Sequence, residues 1–139
     1  FNAFPQNVAG SLPPILDVEE NQGMPPEVMI NWMSRWLPEV RALTGRKPIV
    51  YASPNLWKEL VANYNGFTEY PLWVADWNGR AQPQLFGGWT NWMFWQKTNK
   101  AVIPGIAKPA DMNVFNGTLD QLTALANIPY FGSISTGSN

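Results

Sequence analysis

A chain of 139 residues, 45% hydrophobic and 14% charged, has the apolar content of a globular fold and the size of a single domain. Nine Lys plus Arg against ten Asp plus Glu give a net charge of -1 with no basic block, which argues against nucleic acid as a partner. The absence of His and Cys excludes Ser-His-Asp and Cys-His catalysis, thiolate metal sites and disulfides, and leaves carboxylates as the natural acid and base groups.

The opening FNAFPQNVAG lacks the basic start and apolar stretch of a signal peptide, and no apolar run approaches the ~20 residues of a membrane span, so a membrane partner is not expected. The segment LPPILDVE then runs apolar and ends abruptly in acids, which predicts a strand over residues 14–18 whose last side chains emerge into a cleft. Residues 21–26 read as loop. Met29, Met33, Trp36, Val40 and Leu43 recur at spacings of four and three, the period of an amphipathic helix, with Gly45 as its C′ residue. Pro38 lies inside that pattern and predicts a kink or a break.

Pro48 to Ala52 reads as a short strand, followed by Ser53 as N-cap and Pro54 at N1 of a helix through about Asn63. PLWVAD, at 71–76, is a third strand ending in an acid, after which Gly and Pro punctuation replaces any helix until WMFWQ at 92–96. A last extended piece, residues 111–115, precedes Thr118-Leu119-Asp120-Gln121, a capping box opening a helix to about Ala126. Strands alternating with helices predict parallel pairing through crossovers, hence an α/β barrel or part of one. The expected division is one domain over 1–128 and a flexible tail over 129–139.

Asp17 and Glu19 stand two apart on a strand, so both carboxylates leave the same face. Like charges in one small space resist simultaneous ionisation, which keeps one carboxyl protonated for use as a general acid, as glycosidic cleavage requires. A D-x-E tripeptide also occurs by chance, as a solvated loop start or a metal-ligand pair. Asp76 and Asp111, at other strand ends, strengthen the reading, because barrel active sites assemble from several strand ends. Tyr51, Trp73, Trp77, Trp95 and Gln96 occupy neighbouring positions and offer stacking surfaces and hydrogen-bond partners for a saccharide, with a core role open for each aromatic.

LPPILDVE, LTGRKPIVYAS, PLWVADW, WMFWQ and PGIAKPADMNVFNGTLDQL occur in the order of the glycoside hydrolase family 25 muramidases, the Chalaropsis-type lysozymes, and over residues 10–126 the chain resembles the C-terminal two-thirds of that domain. The resemblance implies a modified TIM-like barrel of five β/α units followed by helix-free strands, apparently lacking its N-terminal strands in this chain. A missing segment or a separate chain would supply them. It further implies a lysozyme that hydrolyses the β-1,4 bond between N-acetylmuramic acid and N-acetylglucosamine on peptidoglycan glycan strands, secreted or released by phage to act at the cell wall, with no metal or cofactor.

By motif position Glu19 resembles the family's general acid, Asp17 the partner that orients the substrate's 2-acetamido group, and Asp111 a further active-site acid. Tyr51, Trp73, Asp76, Trp77, Gln96 and Asn113 are the expected substrate-binding residues. Asp17 as direct nucleophile, or inversion through water, stays open. So do two other functions: a non-catalytic peptidoglycan-binding remnant of the fold and a hydrolase of chitin-like polymers. Lys97 departs from the family pattern, where an aromatic commonly follows the WQ pair.

Overall fold

Short, near-continuous apolar runs between helices favour strands buried on both faces. The computed structural model describes residues 10–126. Five strands, β1 (Ile15–Asp17), β2 (Ile49–Ala52), β3 (Leu72–Ala75), β4 (Phe94–Ala101) and β5 (Ala110–Phe115), form one mixed sheet in sequence order. The tail expected over 129–139 lies outside the described residues.

Pairing is parallel from β1 through β4, as the crossover argument requires, and antiparallel between β4 and β5. The short 102–109 connection explains the change, because it can close a hairpin but cannot span a parallel crossover. Helices α1 (Pro26–Thr44) and α2 (Pro54–Val61) fill the first two crossovers, none lies between β3 and β4, and α3 (Leu119–Ala126) follows β5.

Of the kink or break anticipated at Pro38, the break does not occur: α1 is one helix of 19 residues. Met29, Met33 and Leu37, one turn apart, are buried against the sheet and hold the helix together, while Pro38 and Ser34 lie on its exposed side, where water can serve the Ser34 carbonyl. Gly45 closes the helix in the left-handed region at φ 69°, its N–H donating to the Arg41 carbonyl at 2.8 Å. Ser53 caps α2 by accepting from the Leu56 N–H at 3.2 Å. That helix stops at Val61, before the anticipated Asn63, because Ala62 turns left-handed at φ 51°. At α3 the capping box is reciprocal, with the Thr118 N–H donating to Gln121 Oε1 at 2.9 Å and the Gln121 N–H to Thr118 Oγ1 at 3.1 Å.

Between sheet and helices sits an apolar core to which the strands contribute Leu16, Val18, Val50, Ala52, Leu72, Val74 and Trp95. Trp57 of α2 is its centre: fully buried, it packs on Phe67, Phe86 and Trp89 and donates to the Tyr64 carbonyl at 2.8 Å. Gly87, at φ 59°, passes so close that an added Cβ would lie 2.6 Å from Trp57 Nε1, which fixes the path of the β3–β4 loop. Alternation along each strand then sends the intervening residues, Asp17, Glu19, Tyr51, Trp73, Ala75, Phe94 and Gln96, to the opposite face.

Candidate active site

The strand register lines up Asp17 with Tyr51, Tyr51 with Trp73, and Trp73 with Phe94, so four strands place these side chains in one row on the face away from the helices. The aromatics touch edge to face or tilted: Tyr51 and Trp73 rings at 5.5 Å, Trp73 and Phe94 at 5.2 Å, Phe94 and Phe115 at 5.2 Å. One step further along the strands, Ala75 pairs with Gln96 and Gln96 with Asn113, at the end where β1 delivers Glu19.

Burial pushes the Glu19 carboxyl up from the usual carboxylate range, and the neighbouring Asp17 charge, a hydrogen bond with Asp17 and the Glu20 charge push it further. Asp17 is also raised by burial, but the same hydrogen bond pulls it down. Both carboxyls therefore hold a proton more readily than free ones, and Glu19 is the one that its neighbour's charge raises as well. The Tyr51 phenol is raised by burial and then by the charges of Glu19, Asp17 and Asp111, so all three acids act on it electrostatically.

Tyr51 Oη donates to Gln96 Oε1 at 3.0 Å, Trp77 Nε1 donates to the same oxygen at 3.0 Å, and Gln96 Nε2 donates to Asp111 Oδ2 at 3.2 Å. Trp73 Nε1 donates to Asn113 Oδ1 at 2.9 Å, tying β3 to β5 across β4. Asp76 lines the same cleft but turns Oδ2 into the β3–β4 loop, where it accepts from Asn78 Nδ2 at 2.6 Å and the Gln84 N–H at 2.7 Å. That loop presents Trp77, 56% exposed, at the mouth of the site.

A cleft of about 450 Å³ is lined by Glu19, Tyr51, Ser53, Asn55, Asp76, Trp77 and Gln84. A larger depression of about 870 Å³ lies at the other end of the strands among Trp89, Trp92, Phe115 and Asn116 and contains none of the candidate residues. Among the residues read from sequence, Asp17, Glu19, Tyr51, Trp77, Gln96 and Asp111 are thus brought together, with Trp73 and Asn113 bonded beside them. Trp95 is not part of this surface. It pairs with Val74, shares that residue's core face, is buried, and donates to the Asp76 carbonyl at 2.8 Å.

Ser53, Asn55 and Gln84 went unread. The first two follow a strand directly in the first turn of a helix, a signal the capping reading of Ser53 already contained, whereas Gln84 reaches the cleft only because Asp76 binds its N–H. Among the described residues no group of three or more acids stands close enough to hold a metal ion, and no helix is long and apolar enough to cross a membrane.

The family model for glycosyl hydrolases family 25 matches residues 3–106. Relatives include the uncharacterized protein YegX of Escherichia coli strain K12, 38% identical over 85% of this chain and 42% of that protein, and lysozyme M1 of Streptomyces globisporus, 32% identical over 84% of this chain and 42% of that protein. The crystal structure of the bacterial lysozyme from Streptomyces coelicolor superposes with a TM-score of 0.78 at 30% identity, covering 88% of this chain and 59% of that one. The chain spans somewhat under half the length of the curated relatives it matches here.

Proposed function

This chain belongs to glycosyl hydrolases family 25, and from that premise we propose that it hydrolyses the β-1,4 bond between N-acetylmuramic acid and N-acetylglucosamine in bacterial peptidoglycan. The observation that carries the proposal is the Asp17–Glu19 pair at the exit of β1, two carboxyls leaving one face beside a cleft lined by Glu19, Tyr51, Asp76 and Trp77, with Glu19 raised above the usual carboxylate range by burial and by the Asp17 charge. A protonated carboxyl beside an ionised one is the equipment glycoside cleavage needs. The lysozyme name of the Streptomyces globisporus relative supports the choice of polymer.

In this reading Glu19 protonates the departing glycosidic oxygen. Asp17 orients and polarises the 2-acetamido group, whose carbonyl oxygen attacks the anomeric carbon from the other side. Asp111, on the far side of Tyr51, is the third acid of the site. The exposed Trp77 ring offers a face on which the apolar side of a sugar ring can stack. The open sheet is read as part of a modified β/α barrel whose further strands come from another segment or chain, and the place of action is the bacterial cell wall.

The test is reducing-sugar release from purified peptidoglycan by the parent and by Glu19→Gln, with the new ends identified by borohydride reduction. Reduced muramic acid from the parent and almost none from the variant is the expected result. Reduced glucosamine would move the cut to the other glycosidic bond, and equal release by both proteins would remove Glu19 from the role. Binding of peptidoglycan without release from the parent would make this chain a non-catalytic wall-binding protein.

A further inference from the structure

An indole N–H can only donate. Trp77 Nε1 lies 3.0 Å from the Gln96 side-chain amide, so the amide must present its oxygen there. Tyr51 Oη lies 3.0 Å from that same oxygen, so the phenol must donate too, and both lone pairs of Oε1 are then used. The nitrogen end is left facing β5, where it donates to Asp111 Oδ2 at 3.2 Å. Gln96 is 6% exposed, and a flipped amide would set its N–H₂ against the Trp77 N–H, donor facing donor at a buried position.

We propose that Gln96 is a positioning residue: a buried amide, oriented by Trp77, that holds Asp111 in place and commits the Tyr51 hydroxyl hydrogen away from the carboxyl pair. The Tyr51 oxygen therefore meets Glu19 or an arriving sugar hydroxyl as an acceptor. This assignment rests on the cleavage reading above and moves Gln96 from substrate binding to organising the groups that touch substrate. The titratable groups around it are Tyr51 on β2, Asp111 on β5 and, beyond Tyr51, the Asp17–Glu19 pair on β1; Asp76, at the end of β3, has turned into its loop.

Glu in place of Gln96 separates positioning from mere packing. A protonated glutamic acid reproduces the native pattern, its carbonyl accepting from Trp77 and Tyr51 and its hydroxyl donating to Asp111. An ionised one sets a second negative charge against Asp111. Leu at the same position has no polar atom to recover at any pH.

The experiment measures kcat and KM for muropeptide release by the parent, Gln96→Glu and Gln96→Leu from about pH 4 to about pH 8, a span that covers the carboxyl range. Circular dichroism at each pH reports the fold, and NMR reports hydrogen exchange of the Trp77 indole. Gln96→Leu should lose on the order of 10²-fold in kcat with little change in KM, the scale of a misplaced catalytic group. Gln96→Glu should match that loss near neutrality and regain most of the parental kcat on acidification.

The Trp77 indole, though its ring is 56% exposed, should exchange more slowly in the parent than in Gln96→Leu. A Gln96→Glu to parent ratio that is flat with pH, or parental kcat in Gln96→Leu, overturns the proposal. Indole exchange equal in parent and Gln96→Leu overturns the amide geometry itself. A parent that releases no sugar while its indole is protected overturns the cleavage reading, and with it the catalytic use of Gln96, but not the amide geometry.

Discussion

Glu19 stands two residues beyond Asp17 on the same face of one strand exit, and both carboxyls are raised above their ordinary values, Glu19 partly by the Asp17 charge. Activity that needs Glu19 protonated and Asp17 ionised is confined between their pKa values. The release rate should rise with pH as Asp17 ionises and fall as Glu19 does, the second limb lying above the ordinary glutamate range because burial and Asp17 both raise it. Asp17→Asn removes the neighbouring charge, so whatever activity survives should lose its upper limb at lower pH. Glu19→Gln should cost about 10² to 10⁴-fold in kcat, the usual contribution of a positioned acid. A kcat/KM profile whose upper limb is unmoved by Asp17→Asn would show that the two carboxyls are not coupled.

The same shifts bear on stability. For both carboxyls the folded state holds its proton more tightly than the unfolded chain, so the folded state binds more protons across the interval between ordinary and raised pKa values. Their contribution to stability is therefore highest at acid pH and declines as pH rises through that interval. Glu19→Gln, which removes one ionisation, should melt above the parent at neutral pH, and the advantage should vanish on acidification. Melting curves at several pH values check this; a variant that melts below the parent at neutral pH would contradict it.

What was legible in the sequence followed from local rules. The Ser53 cap, the Gly45 stop and the Thr118–Gln121 box are decided by groups within a few residues of each other, and each appears where it was read. Pro38 does not divide the helix, because burying Met29, Met33 and Leu37 on one stripe outweighs the local cost of the ring. For Trp95 the sequence left cleft and core both open, because alternation gives the face of a residue relative to its own strand, and only the pairing with Val74 shows that its face is the core. β4 outruns the WMFWQ run, reaching Ala101 through a polar stretch, because hairpin pairing with β5 rather than hydrophobicity extends it. The acids were readable because strand ends are; the orientation of the Gln96 amide was not, since it depends on three strands and a loop.

Two tryptophans should respond in opposite ways to truncation. Trp57 is fully buried among three aromatic rings, so Trp57→Ala should cost about 3 to 5 kcal/mol of unfolding free energy from lost burial and the cavity left behind. Trp77 is 56% exposed, so Trp77→Ala should leave guanidinium unfolding nearly unchanged while lowering muropeptide release. Equal destabilisation by the two changes would place Trp77 in the core rather than at the site.

Chelation should leave activity intact, because the proposed chemistry is supplied by carboxyls and the substrate's own acetamide. Peptidoglycan turbidity assays with and without a strong chelator test this directly. Activity lost to the chelator and restored by one added divalent ion would assign part of the charge stabilisation to a metal.

Arg46 ties together segments that share little core. Its guanidinium, buried at the α1–β2 connection, donates through Nη1 to the Ser11 carbonyl at 2.9 Å and through Nη2 to the Leu125 carbonyl at 2.5 Å, while the Gly10 N–H donates to the Ala126 carbonyl at 2.9 Å. α3 has no buried residue of its own, so its last turn is held by these bonds more than by packing. A cation at a helix C-terminus also meets the negative end of the helix dipole. Arg46→Met should cost about 1.5 to 3 kcal/mol, the range for hydrogen bonds made by a charged group. Arg46→Lys should recover only part of that, since one ammonium cannot reproduce the planar fork that reaches both carbonyls. Hydrogen exchange should speed up in α3 while the Trp57 core stays protected. If α3 exchanges at the parental rate in Arg46→Met, then packing of α3 against β5, and not the guanidinium, holds that end of the fold.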